Sequence, residues 1–414
     1  MQDQEIANAI AAHQTYANLE GQHRLFTELR HNDPVHWTEP EGHRPFWTVT
    51  KHADIMEIER QPEKFLNSKR NKLFSIDYEQ KMAAAAGGKH HFGRAISVMD
   101  ADDHKIYRGI AQEWFMPSPI RGLSPQITEL AHRSLRLLVE RAPALDFYKE
   151  IAAVFPLRVI MLILGIDAKP ETEKELQEIT ATYFGGTDPE ISGDGAGVIE
   201  ASFRYFDFFE PLVAEKRENP KQDVATLIAN AEVAGKPIDH GIAQMYFVSL
   251  AGAGHDTTGS TLAGGILELI RNPGEWDKLK ANPDLVNSAV EEMIRWVSPV
   301  KHFLRTAAED YELRGRTIKA GEHVFLSYPS ANRDEDIFED PWSFRIDRRP
   351  NKHVGFGFGP HVCLGLALAR LELQIFMREM LPLVKRFELD GEPKWTWTNF
   401  VGGLKTLPVK YELE

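Results

Sequence analysis

The chain has 414 residues and a formal net charge of −13, so it can bury a large core and is not a general nucleic-acid binder. Its single cysteine excludes an intramolecular disulfide and fits a reducing cytosol. The polar N-terminal residues lack the pattern of a signal peptide, and the most apolar run, Ile151 to Ile166, is too short to cross a bilayer. We therefore expect a cytoplasmic protein that binds neither nucleic acid nor membrane.

Short strands and helices alternate in the first part of the chain. Residue patterns predict strands at Pro34 to Trp37 and Pro45 to Thr50. The stretch from Phe65 to Met99 has many breakers and little periodicity, which predicts a long functional loop. A helix with an acidic start is predicted from Asp102 to Met116, where Pro117 stops it.

Helices dominate the middle of the sequence, from Ile120 to Pro299, with one break at Gly185 to Gly197. Short strand-like pieces follow. A long amphipathic helix is then predicted from Leu364 to about Leu381, starting at the cysteine, and a β-like tail from Val409 to Leu413. No linker separates these parts. The pattern predicts one domain, residues 1–414, that is mainly α with small peripheral β-sheets.

The cysteine, Cys363, lies in a loop with glycines at positions 355, 357, 359 and 365. So little side-chain bulk would let a flat ligand approach the backbone, and a helix N-terminus stabilises a thiolate. A small buried hydrophobe and a nucleophile paired with His361 are the alternatives, whereas a zinc site lacks a second cysteine. The loop favours a soft metal ligand but does not settle the question alone.

A helix of roughly 50 Å is predicted from Asp239 to about Arg271. Its middle, Ala251 to Gly259, contains weak helix formers, and each glycine costs about 1 kcal/mol relative to alanine. Close helix packing would explain the glycines but not the adjacent Asp256 and Thr257. An acid beside an alcohol suits a proton relay.

Two further sets of charged residues are candidates. Glu292 lies on the apolar face of its helix, and such a buried carboxylate needs a partner, which Arg295 can supply three residues later. Four donor or cationic side chains spread along the chain are each most simply surface groups, but together they could clamp a dianionic ligand. They are His104, Arg108, Arg305 and His361.

Three motifs occur in the order and at the spacing of one known family. They are the cysteine loop Phe356 to Gly365, the helix motif Ala253 to Thr258, and the Glu292–Arg295 pair. With Ala331 to Asp334 they resemble the cytochrome P450 family along nearly the whole chain. The resemblance implies a triangular, haem-enclosing fold and an enzyme that uses O2 to hydroxylate C–H bonds.

The resemblance also implies roles for single residues. Cys363 is the axial thiolate ligand of the iron in haem b, and Phe356 packs on the sulfur side. The four clamp residues bind the haem propionates, and Asp256 with Thr257 delivers protons to dioxygen. Glu292 and Arg295, with Arg348, support the cysteine loop. In one departure from the family, Asp100 to Asp103 replaces a frequent proline before His104.

A closer likeness to bacterial members that hydroxylate terpineol lies in Lys51 to Met56 and Thr398 to Gly403. It implies a monomer that oxidises a small cyclic hydrophobic substrate, a monoterpenoid or an alkyl-benzene, with two electrons from a [2Fe–2S] ferredoxin and its reductase. A haem-thiolate sensor without turnover is the alternative. The two breaker-rich segments, Phe65 to Met99 and Gly185 to Gly197, would open to admit substrate. The implied pocket residues are Ser249, Gly252, Val300, Phe400 and Val401. The implied basic surface for the ferredoxin is Lys105, Arg108, Arg348, Arg349 and Lys352.

Overall fold

The computed structural model describes residues 3–88, 92–192 and 196–414. The fold is mainly α with small separate sheets, as predicted. The helices are α1 (Asp3–Ala11), α2 (Leu19–Asn32), α3 (His52–Glu59), α4 (Ile76–Ala85), α5 (Ala101–Gln112), α6 (Pro117–Arg121), α7 (Ser124–Glu140), α8 (Phe155–Leu164), α9 (Pro170–Gly185), α10 (Ala196–Glu218), α11 (Val224–Ala229), α12 (His240–Arg271), α13 (Pro273–Ala281), α14 (Val286–Val297), α15 (Tyr328–Ala331) and α16 (Leu366–Met380). The strands are β1 (Val35–Thr38), β2 (Phe46–Val49), β3 (Phe65–Leu66), β4 (Ala144–Asp146), β5 (Glu232–Val233), β6 (Lys236–Pro237), β7 (His302–Ala307), β8 (Tyr311–Leu313), β9 (Arg316–Ile318), β10 (His323–Ser327), β11 (Val384–Leu389), β12 (Lys394–Trp395), β13 (Leu404–Thr406) and β14 (Pro408–Leu413).

The long helix α12 has the predicted bounds. Asp239 caps it, because its side chain accepts a hydrogen bond from the Ile242 amide at 3.1 Å. The helix ends at Arg271, two residues before Pro273. Most of its side chains are buried, because it packs against α8, α10 and α14 in the main hydrophobic core. The helix therefore runs through the middle of the molecule and can present residues to an internal site.

The sheets lie around this helical core. The largest has the strand order β1-β2-β10-β7-β3, in which β10 runs parallel to β2 and antiparallel to β7. A second sheet has the order β11-β14-β4 and joins the predicted C-terminal strand to the middle of the chain. Arg305 lies on strand β7 of the largest sheet, and the residue is buried.

One predicted loop is partly regular. The stretch from Phe65 to Met99 contains β3 and the ten-residue helix α4, while residues 89–91 lie outside the described part. The Ser75 side chain caps α4 by accepting from the Tyr78 amide, and the helix ends in a run of alanines, the best helix formers. No residue of α4 is buried, so the helix has no apolar face for the sequence pattern to reveal.

Two predicted helix ends also differ from the structure. The helix α5 ends at Gln112 rather than Met116, and Pro117 begins the next helix. The helix after the cysteine begins at Leu366, not at Cys363. Its start is delayed because the Cys363 amide donates to the Phe356 carbonyl at 2.8 Å, which closes the glycine loop on itself. Among the described residues, every helix is too short or too polar to cross a membrane.

Candidate functional site

A large cavity lies against the middle of α12 and has a volume of about 790 Å³. This volume is within the range of sites that bind small molecules. Most of the predicted site residues line it, although they come from distant parts of the sequence. These are His104, Arg108, Ser249, Gly252, Thr257, Val300, Arg305, Phe356, His361, Cys363, Phe400 and Val401.

The Cys363 side chain is exposed into this cavity, although it lies deep inside the protein. Burial raises the pKa of its thiol, while the Gly365 amide, Arg108 and Arg370 act to lower it. The loop can reach this position because Gly357 and Gly359 adopt positive φ angles of 70° and 67°. A Cβ atom at Gly359 would lie 2.2 Å from the Glu59 carbonyl oxygen, so no other residue fits there. Because burial outweighs these groups and keeps the pKa of the thiol raised, the thiol is suited to a ligand that brings its own positive charge, such as a metal ion.

The four predicted clamp residues share one wall of the cavity. The rings of His104 and His361 stack with centroids 3.7 Å apart. Burial, aided by nearby cationic side chains, lowers the pKa of His104 to about 4 and that of His361 to about 2. Both histidines are therefore neutral near pH 7, and the positive charge of the wall comes from Arg108 and Arg305. The two rings contribute hydrogen bonding instead of charge.

This wall fits the carboxylates of a haem. The buried Nε2 atom of His361 has no hydrogen-bond partner in the protein, and two arginines face the same space. Donors placed in this way on a cavity wall are suited to bind an anionic group. Phe356 lines the cavity beside the thiol, and the Arg370 guanidinium lies 4.7 Å from the centre of its ring. The donor set and the single thiol therefore match the group that the sequence resemblance implies.

The acid and the alcohol of α12 lie on different sides of the cavity surface. Thr257 lines the cavity, and its hydroxyl donates to the Ala253 carbonyl at 2.6 Å. Asp256 is not part of the lining, and its buried Oδ2 atom has no partner in the protein. Burial raises the pKa of Asp256 to about 6, although Lys301 and Ser260 act in the opposite direction. The pair thus places an acid in the protein interior directly before an alcohol on the cavity wall.

Some glycines of α12 allow close packing of neighbouring elements, and one borders the cavity. A Cβ atom at Gly254 would lie 2.4 Å from Ile160, and one at Gly259 would lie 2.5 Å from the Ala152 carbonyl oxygen. Close packing against α8 and the preceding turn therefore requires these two. A Cβ atom at Gly252 would lie no closer than 3.6 Å to its nearest neighbour, Phe184, and Gly252 borders the cavity. Helix packing and the open site together explain the motif.

The three predicted support residues form a buried ionic cluster. Glu292 and Arg295 are fully buried, and Arg295 donates to both carboxylate oxygens at 2.8 and 2.7 Å. Arg348 adds a contact to Glu292 at 3.1 Å. Burial acts to raise the pKa of Glu292, but the arginines hold it below its ordinary value. Sequence reasoning missed Asn351, which also donates to Glu292 at 3.1 Å.

The implied pocket residues lie together at one end of the cavity. Val300 pairs with Val401 in a β-bridge, and the Lys301 amide donates to the Phe400 carbonyl at 2.7 Å. The hydroxyl of Ser249 donates to a carbonyl within its own helix at 2.7 Å. Its proton is therefore used. Val300, Phe400 and Val401 add apolar side chains to the cavity wall, and the Lys72 ammonium lies 4.6 Å from the centre of the Phe400 ring.

The proposed basic surface is smaller than the sequence indicated. Arg348 is buried against Glu292, so it is not available to a docking protein, whereas Arg108 is half-buried and lines the cavity. The burial of Arg348 could not be inferred from charge alone. Lys105, Arg349 and Lys352 are exposed.

Sequence reasoning missed two further residues on the cavity wall, Glu59 and Tyr328. The Tyr328 hydroxyl donates to the buried Glu59 carboxylate at 2.7 Å. Glu59 lies one helical turn after the fully buried Ile55, so the apolar face of α3 ends in a carboxylate. That placement is the one signal that could have found it.

Comparison with known proteins identifies the family to which the chain is similar. Residues 196–414 match the family model described as Cytochrome P450. The chain is 39% identical to cytochrome P450-terp of a Pseudomonas species over 99% of this chain and 97% of that protein. It is 34% identical to linalool 8-monooxygenase of Pseudomonas putida, covering 94% of this chain and 95% of the relative.

Solved structures of cytochromes P450 superpose closely on the chain. The crystal structure of CYP108D1 from Novosphingobium aromaticivorans superposes with a TM-score of 0.92 at 37% identity, over 99% of this chain and 98% of that one. A Mycobacterium marinum cytochrome P450 in complex with pseudoionone superposes with a TM-score of 0.87 at 31% identity, over 94% and 95% of the two chains.

Proposed function

Because the chain belongs to the cytochrome P450 family and is a P450 monooxygenase, we propose that it binds haem b through Cys363 and hydroxylates a small, cyclic, mostly apolar molecule. A monoterpenoid or an alkyl-benzene is the proposed substrate class. The observation that carries this proposal is the cavity of about 790 Å³, with a lone thiol at one place on its wall and the apolar side chains of Val300, Phe400 and Val401 at another. The relative named linalool 8-monooxygenase supports a monoterpenoid substrate, although linalool itself is acyclic.

The residues have distinct proposed tasks. Arg108 and Arg305 hold the haem carboxylates by charge, with hydrogen bonding from His104 and His361. When bound, haem supplies the iron chemistry that activates O2 with two electrons and inserts one oxygen atom into a C–H bond.

The remaining tasks concern protons and substrate. Asp256 holds a proton in the interior near pH 6, and the Thr257 hydroxyl faces the cavity where that proton is needed. Val300, Phe400 and Val401 orient the substrate and exclude water from this end of the cavity. We propose that the protein acts as a monomer and receives electrons from a [2Fe–2S] ferredoxin with its reductase. The alternative of a haem-thiolate sensor gains no support from the named relatives.

A ligand screen tests the substrate class. Cyclic monoterpenoids, alkyl-benzenes and long-chain fatty acids would be titrated into the ferric protein while the spin-state shift of the haem is recorded. We expect several small cyclic compounds to bind, because one methylene in an apolar pocket changes binding by only about 1–3 kcal/mol. We also expect them to bind more tightly than any fatty acid. Val300→Phe and Phe400→Ala should each change which compound binds best. Tighter binding of fatty acids would refute the small-cyclic assignment but not the monooxygenase.

A further inference from the structure

Glu59 is a buried carboxylate on the cavity wall that has no task in the proposed reaction. Its side chain is 2% exposed. Arg305 donates to its Oε1 atom through Nη2 at 2.9 Å, and the Tyr328 hydroxyl donates to the same oxygen at 2.7 Å. The second oxygen, Oε2, is buried without a hydrogen-bond partner. Burying a carboxylate with one oxygen left unpaired costs free energy, and the packing of the fold does not explain why that cost is kept.

Glu59 joins the two parts of the site that hold the haem in the proposed function. Its carboxylate bonds to Arg305 on β7, which is a candidate partner of a haem carboxylate. Its backbone carbonyl packs against Gly359 in the cysteine loop, at the place where a Cβ atom would not fit. The Phe358 amide of the same loop lies near the Glu59 carboxylate. Moving Glu59 would therefore disturb both ends of the cofactor site.

Arg305 is oriented by these contacts. Of the five N–H donors of a guanidinium, one Nη1 donor bonds to the Leu304 carbonyl at 2.9 Å and one Nη2 donor bonds to Glu59. The remaining donors are available on the side of the cavity that Arg305 lines. Because the side chain is 5% exposed, water cannot take over the role of Glu59.

The charge of Glu59 acts on the same site. Burial raises the pKa of Glu59, while Arg305 and Tyr328 oppose that rise. In a buried setting a fixed negative charge is screened weakly, and it stabilises the more positive state of a nearby redox centre. For haem iron the more positive state is the ferric one.

We propose that Glu59 is a positioning residue that aims the Arg305 guanidinium at a haem carboxylate and that its buried charge lowers the reduction potential of the haem. This inference rests on the proposed function, because it requires haem bound at Cys363. It concerns the potential and the retention of the cofactor, both of which can be measured without substrate.

The charge is tested with Glu59→Gln, which keeps the shape and still accepts hydrogen bonds from Arg305 and Tyr328. Glu57→Gln is the matched control, because Glu57 lies on the same helix but is exposed. Each protein is first reduced under carbon monoxide. Loss of the thiolate spectrum in the parent protein would refute the proposed function, whereas an intact spectrum allows this test to proceed.

The midpoint potential of the substrate-free haem is then measured at pH 8. We expect a shift to more positive potential in Glu59→Gln and none in Glu57→Gln. An unchanged potential in Glu59→Gln, with its carbon-monoxide spectrum intact, would overturn the role of the charge.

Positioning is tested with Glu59→Asp, which keeps the charge but withdraws it from Arg305 by one methylene. Transfer of haem to apomyoglobin should become several-fold faster than in the parent, while the potential stays closer to the parent value than in Glu59→Gln. Haem transfer at the parent rate would overturn the positioning role. This comparison decides the question alone if Glu59→Gln does not fold.

Discussion

Two neighbouring residues of α12 carry the proposed proton-handling task. Thr257 borders the cavity, and Asp256, its neighbour in sequence, lies behind the cavity surface. Burial brings the pKa of Asp256 to about 6, close to neutral pH. A group with such a pKa can both hold and release a proton, which is the property that general acid–base catalysis requires.

Substitution of this pair should therefore change both rate and pH dependence. The protonated fraction of Asp256 falls as the pH rises through about 6, so the parent should form product more slowly at pH 8 than at pH 6. Asp256→Asn should be slower by about 10²-fold or more and lose this dependence, with substrate affinity nearly unchanged. The rate of product formation, measured between pH 5.5 and 8.5, checks this.

The neighbouring alcohol has its own controls. Thr257→Ala should divert electrons to hydrogen peroxide, whereas Thr257→Ser keeps a hydroxyl and should remain coupled. If Asp256→Asn and Thr257→Ala both match the parent in rate and coupling, the pair has no role in proton delivery.

Residues differ in how far the sequence alone reveals them. Cys363 could be predicted because the glycines that expose it are its neighbours, and Glu292 because its partner Arg295 is three positions away on the same helix. Glu59 could not be assigned a partner, because Arg305 lies 246 positions further along the chain. Local spacing identifies local pairs, whereas contacts between distant elements become visible only in the fold.

At the scale of elements, the segment after α9 is held to the β12–β13 hairpin. Asp188 is fully buried, and Lys405 donates to both of its carboxylate oxygens at 2.8 and 2.7 Å. The Trp397 amide also donates to Asp188 at 3.0 Å. Burial acts to raise the pKa of Asp188, but Lys405 and nearby amides hold it below its ordinary value. Opening of the predicted lid segment would have to break this ion pair.

Asp188→Asn should therefore loosen this lid. Removing one partner of a buried ion pair costs about 3–5 kcal/mol locally, so we expect faster hydrogen exchange in residues 185–192 and 394–406 and several-fold faster substrate dissociation. Lys394→Gln is the control, because its ion pair with Glu190 is exposed on both sides and should contribute little. Unchanged exchange in Asp188→Asn would show that these elements do not separate when substrate enters.

Elements also show where sequence patterns lose information. The periodicity of α12 predicts both of its ends, because capping by Asp239 and the proline after its end are local signals. Helix α4 has no buried residue and therefore no apolar periodicity, so the sequence pattern predicts a loop there. The start of α16 depends on a hydrogen bond from the Cys363 amide to Phe356, seven residues earlier, which no helix pattern encodes.

At the scale of the whole molecule, three exposed cations stand out against a net charge of −13. Lys105, Arg349 and Lys352 are the exposed members of the predicted basic surface, while Arg348 is buried and Arg108 is half-buried on the cavity wall. Opposite charges steer association and are screened by salt. An acidic ferredoxin would use these cations if the proposed electron donor is correct.

Charge reversal measures this steering. Lys105→Glu and Arg349→Glu should each slow the reduction of haem by ferredoxin at low ionic strength, and the difference from the parent should shrink as salt is added. Substrate affinity should not change. Lys236→Glu reverses an exposed charge on the separate β5–β6 hairpin and should have little effect. Reduction kinetics that do not depend on salt would contradict this docking surface.

The central claim is that a single thiolate, from Cys363, holds a haem in the cavity beside α12. The absorbance spectrum of the reduced, carbon-monoxide-bound protein tests it most directly, because thiolate ligation shifts the Soret band to longer wavelength than histidine ligation does. We predict this red-shifted band in the parent protein and its loss in Cys363→Ala. A parent protein without the band, or a Cys363→Ala variant that retains it, would contradict the account.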